Sequence, residues 1–145
     1  MKKISYILFL LLFVMCKSPK VEFKEYEKTV SDASINDYLK QLNAIDDEYS
    51  VLMFTSGFNG EKMIVMNGSE SIWNDKLTSV QGLGWAKSFR VHNEKTIEIT
   101  DVNNDYHFVL KPKKGKKFKY IYIQRQSLEN VKYVIIYSNS MRSFM

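Results

Sequence analysis

The spacing of the apolar residues changes at Tyr49. From that residue onward apolar and polar side chains tend to alternate, and turn-forming residues recur roughly every eight to twelve positions. A period of two places one face of a strand in the core and the other in water, and short strands at this spacing are typical of β-sandwiches and barrels. The pattern therefore predicts a mainly β protein, a small antiparallel β-sandwich or an open barrel.

Two Asn-Gly pairs predict turns, because both residues adopt positive φ at little cost. Asn59-Gly60 lies between two apolar runs and predicts a tight hairpin, whereas Asn67-Gly68 predicts the end of the second of those strands. Further strands are predicted from residue 71 and over residues 85–91, 96–102, 106–111, 118–124 and 132–137.

Two of these segments also predict which side chains are buried. The strict alternation around Glu98 places Ile97 and Ile99 in the core and Glu98 in water. Residues 120–123 alternate tyrosine with isoleucine, so one set faces the core and the other covers a second surface. The tyrosines therefore form either a packed layer or an exposed binding face.

One short helix is predicted ahead of the strands. Ile35, Tyr38, Leu39 and Leu42 follow at helical spacing, and Ser34 precedes them as the expected N-cap. The fold class therefore includes a single amphipathic helix near the N-terminus of the domain.

The N-terminus has the layout of a secretory signal. Lys2 and Lys3 precede an unbroken apolar run at residues 7–15, which leads directly into Cys16, the single cysteine of the chain. A bilayer-spanning helix needs about 20 apolar residues, so this run is too short to span comfortably. A single cysteine also excludes an internal disulfide framework and any multi-cysteine metal site.

This arrangement resembles the lipobox of bacterial lipoproteins, in the relaxed form of the Bacteroidota. Phe13, Val14 and Met15 stand where the common pattern has Leu, then Ala or Ser, then Gly or Ala. The resemblance implies that residues 1–15 are a signal peptide and that the Cys16 thiol receives a diacylglyceryl group. It also implies a lipid-anchored protein of the bacterial cell envelope, at the outer membrane. An uncleaved signal anchor and a cytosolic protein with an apolar N-terminus are the alternatives.

The chain length of 145 residues leaves room for one domain behind the signal. Residues 16–33 are interpreted as the lipidated cysteine and a tether, and residues 34–145 as a single β-rich domain. The alternation of residues 21–26 also fits a real strand, which would shorten the tether.

The sequence contains no recognised catalytic motif, such as a nucleophile elbow or a zinc-protease helix. His92 and His107 lie on different predicted elements, and residues 46–48 form an acidic triplet that an exposed loop explains better than an acid/base site. We therefore expect no catalytic residue, no metal and no cofactor.

Residues 101–105 imitate the start of a calcium-binding loop. Tyr106 and Pro112 replace the glycine and glutamate that such a loop requires, so an EF-hand is excluded. A hairpin turn is the favoured interpretation, and a looser calcium turn at Asp101 and Asp105 is the alternative.

Positive charge is concentrated at residues 111–119, where six of nine side chains are lysines and where Pro112 and Gly115 predict a hairpin tip. Such a tip can meet an anionic surface, or can simply keep a hairpin solvated. Trp73 and Trp85 would provide a stacking platform for glycans if they were exposed. The candidate binding residues are Lys113, Lys114, Lys116, Lys117, Lys119, Trp73 and Trp85.

Together these features predict a non-catalytic, membrane-tethered lipoprotein whose β domain binds a partner or forms part of an assembly. The expected partners are the membrane, through the N-terminal lipid, and an envelope protein or an anionic glycan or lipid. An immunity or inhibitor protein and a glycan-binding module are the alternatives, and an enzyme is the least supported class. Nucleic acid is disfavoured because the basic residues include only three arginines and no aromatic-interleaved stripe.

Overall fold

The computed structural model describes residues 18–127 and 130–144, so Cys16 and the signal sequence lie outside the described residues. The elements are β1 (Lys20–Phe23), α1 (Asp32–Gln41), β2 (Tyr49–Phe54), β3 (Asn59–Asn67), β4 (Glu70–Thr78), β5 (Lys87–His92), β6 (Ile97–Asp101), β7 (Tyr106–Leu110), β8 (Tyr120–Ser127) and β9 (Val131–Ser138).

The described strands form two separate sheets, which confirms a mainly β sandwich and not a closed barrel. One sheet has the order β1-β9-β8-β2-β5 and the other has the order β4-β3-β6-β7. Leu52 and Ile123 from the first sheet pack with Val65 and Ile99 from the second in one buried cluster. Ile97 and Ile99 face this core while Glu98 is exposed, as the alternation predicts.

The five-stranded sheet is mixed, which differs from the antiparallel expectation. β1 pairs with β9 in parallel, and β2 pairs with β8 in parallel. Parallel neighbours require a long crossover connection, and the chain between β2 and β8 supplies one because it builds the whole second sheet.

A second hydrophobic cluster covers the outer face of the five-stranded sheet. Leu39 of α1 packs there with Val51 and Met53 of β2 and with Tyr120 and Tyr122 of β8. Tyr120 is 3% exposed and Tyr122 is 0% exposed. The tyrosines of residues 120–123 are therefore a packed layer, and the alternative of an exposed tyrosine binding face is wrong.

The predicted helix is present, but it begins earlier than expected. Ser31 is the N-cap, and its side-chain oxygen accepts a hydrogen bond from the Ser34 backbone N–H at 3.2 Å. The sequence offers two serines three positions apart, and Asp32 in the first turn favours the earlier start because its charge complements the helix dipole.

The hairpin predicted at Asn59-Gly60 is wrong, because β2 and β3 belong to different sheets. The chain changes sheet at residues 55–58, where Gly57 has φ of 96° and a Cβ atom would lie 1.8 Å from the Arg125 carbonyl oxygen. Gly60 instead sits at an irregularity in the pairing of β3 with β4. The second turn is confirmed, since Asn67 pairs with Glu70 across Gly68.

The segment that was interpreted as a tether contains strand β1, in agreement with the alternative interpretation of residues 21–26 as a strand. β1 pairs with β9 in register from Lys20 to Val134 through Phe23 to Tyr137. Residues 20–23, which were assigned to the tether, therefore pair with the five-stranded sheet. Within the described residues, no helix has the length and apolar character needed to cross a bilayer.

Candidate functional site

The lysine-rich segment at residues 111–119 joins the two sheets, because β7 lies in one sheet and β8 in the other. The expectation of a hairpin tip is therefore wrong. The segment turns at Gly115, which has φ of 71°, and the Lys116 backbone N–H donates to the Lys113 carbonyl at 3.2 Å. It crosses one end of the sandwich.

A cleft of about 510 Å³ lies between this segment and the β5–β6 turn at residues 92–95. Its floor consists of buried apolar side chains from both sheets, so the cleft opens into the end of the sandwich core. The floor residues are Val91, Ile97, Leu110, Ile121 and Tyr137.

The cleft is rimmed by exposed lysines, with Glu94 as the carboxylate among its lining residues. In the part of the chain that the structure describes, none of these lysines forms an ion pair. An unneutralised cluster of one sign produces a positive field at the opening. The rim lysines are Lys95, Lys111, Lys113, Lys114, Lys116 and Lys117.

The ammonium group of Lys113 lies over the aromatic ring of Tyr137, which is part of the floor. Its Nζ lies 5.0 Å from the ring centroid of Tyr137 and 5.9 Å from that of Phe23. The Phe23 ring contacts the rings of Tyr137 and Phe118 at 5.6 and 5.4 Å, and Phe23 is 61% exposed. A cation and a partly exposed aromatic group therefore stand side by side at the opening.

Lys119, which is also among the candidate binding residues, does not line this cleft. Its Nζ donates to the carbonyl oxygens of Ile45, Asp46 and Tyr49 at 2.9, 3.1 and 3.3 Å. Burial lowers the pKa of the Lys119 ammonium below its usual value. Lys119 therefore fixes the loop after α1 to the start of β2.

Neither candidate tryptophan lines the cleft. The half-buried Trp73 ring packs against Phe89 at 5.5 Å and lies under the Lys87 ammonium at 4.3 Å. Trp85 is also half-buried, and its indole N–H donates to Ser88 Oγ at 2.9 Å. The sequence thus grouped lysines and tryptophans that the structure separates.

The histidines differ in their surroundings. His92 lies at the rim, where its Nε2 is 3.9 Å from a Glu48 carboxylate oxygen, while its Nδ1 accepts a hydrogen bond from the Glu94 backbone N–H at 3.2 Å. His107 is hydrogen-bonded to Thr100 at 2.9 Å on the exposed face of β7. One acidic residue of the triplet therefore meets one histidine beside the cleft.

A hydroxyl nucleophile is not paired with that imidazole. The Ser50 hydroxyl also lines the cleft, but it is hydrogen-bonded to the Phe118 carbonyl and to the Asn93 side-chain oxygen. Nucleophilic catalysis needs a hydroxyl within hydrogen-bond reach of its base. Both ring nitrogens of His92 already face other groups, the Glu48 carboxylate and the Glu94 backbone N–H.

Asp101 and Asp105 form a hairpin turn, as favoured from the sequence. Asp105 has φ of 48°, and Asp101 is fully buried, with one carboxylate oxygen accepting from the Tyr133 hydroxyl and the Asn104 amide at 2.8 Å each. Among the described residues, no group of three or more His, Cys, Asp or Glu is placed to hold a metal.

Sequence reasoning identified the lysines of residues 111–117 but missed the floor of the cleft and Lys95. A run of charge is visible locally, whereas the floor is assembled by five strands from two sheets. No protein-family model, curated protein or solved structure matches this chain. The function is therefore argued from the chemistry of the cleft.

Proposed function

We propose that this chain is a lipid-anchored protein of the bacterial cell envelope whose β-sandwich is a non-catalytic binding module for an anionic partner. The observation that carries the binding proposal is the ring of exposed lysines, without ion pairs in the described part of the chain, around a cleft that opens into the core. Lysines near an anionic surface each contribute about 1 kcal/mol, so several together give useful affinity.

The anchoring part of the proposal rests on Cys16 and the apolar run before it. One acyl chain binds a membrane marginally, whereas two or three hold a protein firmly. The lipid would supply attachment and leave the sandwich free to bind its partner.

Binding is favoured over catalysis by the contacts of the polar groups in the cleft. The Ser50 hydroxyl is held by Phe118 and Asn93, and His92 Nδ1 is held by a backbone N–H. These groups support the loops around the cleft, while the lysines are free to meet a ligand.

The test is titration of the purified full chain, held in phosphatidylcholine nanodiscs, with inorganic tripolyphosphate. We expect Lys113→Gln/Lys116→Gln to weaken binding about thirtyfold, and added salt to weaken the wild type, because the attraction is between charges near the surface. The matched control is Lys62→Gln/Lys76→Gln, which removes the same charge from exposed positions on β3 and β4. Equal binding by the two double variants would contradict the proposal.

An immunity or inhibitor protein is the second candidate. The exposed Phe23 ring beside Lys113 supplies the aromatic anchor and the flanking charge that protein interfaces favour. One tight acidic protein partner, captured from envelope extract by the wild type and lost with Lys113→Gln/Lys116→Gln, would favour this role. A glycan-binding role has less support, because the indole rings lie away from the lysines.

A further inference from the structure

The cleft combines a positively charged rim with an apolar floor, and a simple anion would use only the rim. Its rim carries ammonium groups, and its floor consists mainly of the apolar side chains of both sheets, with the Tyr137 phenol and the buried Ser50 hydroxyl, which is hydrogen-bonded to Phe118 and Asn93. A hydrophilic anion would contact the rim and make no use of the apolar floor. The wide face of a folded protein would not reach the floor.

The size of the cleft also constrains its occupant. Its volume of about 510 Å³ lies within the range of about 300–1,000 Å³ that small-molecule sites occupy. At about 30 Å³ for each water-sized group, that volume holds on the order of fifteen such groups. This is enough for one chain of medium length with a small head group.

We infer that the cleft binds an anion with a single acyl chain, its head group at Lys113 and its chain against the floor. The inference rests on the proposed function, because it names the ligand class of the same cleft. Free fatty acids and monoacyl phosphates share this chemistry.

The geometry around Tyr137 supports this orientation. The Lys113 ammonium lies 5.0 Å from the centroid of the Tyr137 ring, so a carboxylate or phosphate held by Lys113 has a carbon surface directly beside it. Leu110 and Ile97 continue that surface from the second sheet. Charge pairing at the opening and apolar burial below it therefore act on one amphiphilic molecule.

The test is calorimetric titration of the full chain in phosphatidylcholine nanodiscs with octanoate, decanoate and dodecanoate, with empty nanodiscs as the blank. Each added methylene that is buried strengthens binding about fourfold, so we expect affinity to rise steeply along the series. We expect acetate and decyl glucoside to bind more weakly than decanoate. Acetate lacks the long acyl chain, and decyl glucoside lacks the negative charge.

The rim is tested with the same two double variants. Lys113→Gln/Lys116→Gln is expected to weaken decanoate binding about thirtyfold, whereas Lys62→Gln/Lys76→Gln is expected to leave it unchanged. Decyl phosphate is titrated beside decanoate. Tighter binding of the phosphate assigns the site to a phospholipid product, and tighter binding of the carboxylate assigns it to a free fatty acid.

Equal affinity for all chain lengths would overturn the inference. If tripolyphosphate still bound and still required Lys113 and Lys116, the anion-binding function would stand without the acyl chain. If neither class of probe depended on the lysines, both proposals would fail.

Discussion

At the scale of single residues, the sandwich depends on how Arg125 is paired. This side chain is 7% exposed, and its Nη1 donates to the Gly57 carbonyl at 3.0 Å and lies 3.3 Å from a Glu61 carboxylate oxygen. Its Nε lies 3.7 Å from Asp101 Oδ2 and has no hydrogen-bond partner among the residues that the structure describes. The charge of Arg125 is therefore balanced by two carboxylates at the end of the sandwich opposite the cleft.

Removing one of those carboxylates leaves the buried guanidinium with less compensation. We expect Asp101→Asn to lower the free energy of unfolding by about 3 kcal/mol, since breaking a buried ion pair costs about 3–5 kcal/mol. The control Glu98→Gln changes an exposed carboxylate on the same strand and is expected to cost less than about 0.5 kcal/mol. Urea denaturation measures both, and equal values would show that Asp101 does not stabilise the buried cation.

The backbone turn at Asp101 was predictable from the sequence, but the burial of its side chain was not. The sequence correctly indicated a turn at residues 101–105, because Asn and Asp tolerate left-handed backbone. It gave no sign that Asp101 itself is buried, since its partners Arg125 and Tyr133 come from strands far along the chain. The sequence likewise suggested Lys119 as a binding residue, although its ammonium caps three carbonyls of the same protein.

At the scale of elements, local signals predicted strands better than strand partners. The Asn67-Gly68 turn and the short helix were predictable because each is determined by neighbouring residues. The sheet that contains β2 was not predictable in the same way. The apolar residues of β2 face the helix on one side and the second sheet on the other, and this two-sided burial outweighed the turn tendency of Asn59-Gly60.

The buried tyrosines predict how the sheets respond to alkali. Burial raises the pKa of Tyr120 and of Tyr137 to about 12, from 10.0. It also raises the pKa of Tyr122 and of Tyr133, and the latter is raised further by its hydrogen bond to Asp101. A raised pKa in the folded state contributes stability that is fully present below pH 10 and is lost as the pH rises towards 12.

We therefore expect the free energy of unfolding to fall between pH 9 and pH 11, with Tyr120 and Tyr137 together accounting for about 3 kcal/mol. Lys119 contributes to the pH dependence with the opposite sign. Burial lowers its pKa in the folded state below 10.5, so its contribution to the free energy of unfolding increases as the pH rises. Urea denaturation at the two pH values, followed with phenolate absorbance, measures the change. Ionisation of every tyrosine near pH 10 with unchanged stability would contradict this expectation.

At the scale of the whole molecule, the two ends of the sandwich differ. One end is closed by the buried charges around Arg125, and the other opens between the lysine-rich crossover and the β5–β6 turn. The sequence could indicate the lysines, which are contiguous, but not the opening. The opening exists because residues 111–119 cross from one sheet to the other, and that connection depends on long-range pairing of β7 and β8 with other strands.

The position of β1 changes the expected relation to the membrane. Cys16 lies four positions before Lys20, the first residue of β1, and four residues reach at most about 14 Å. A lipid on Cys16 would therefore hold the sheet edge close to the bilayer.

We propose that Cys16 carries a lipid that anchors the sandwich. Intact mass and membrane fractionation of the native protein, beside a Cys16→Ala variant, test this proposal. We expect the native chain to begin at Cys16, to carry the added mass of acyl groups and to fractionate with membranes, and the variant to lose that added mass. A native protein that begins at Met1 with an unmodified thiol, and whose mass changes in the variant only by the side chain replaced, would contradict the account.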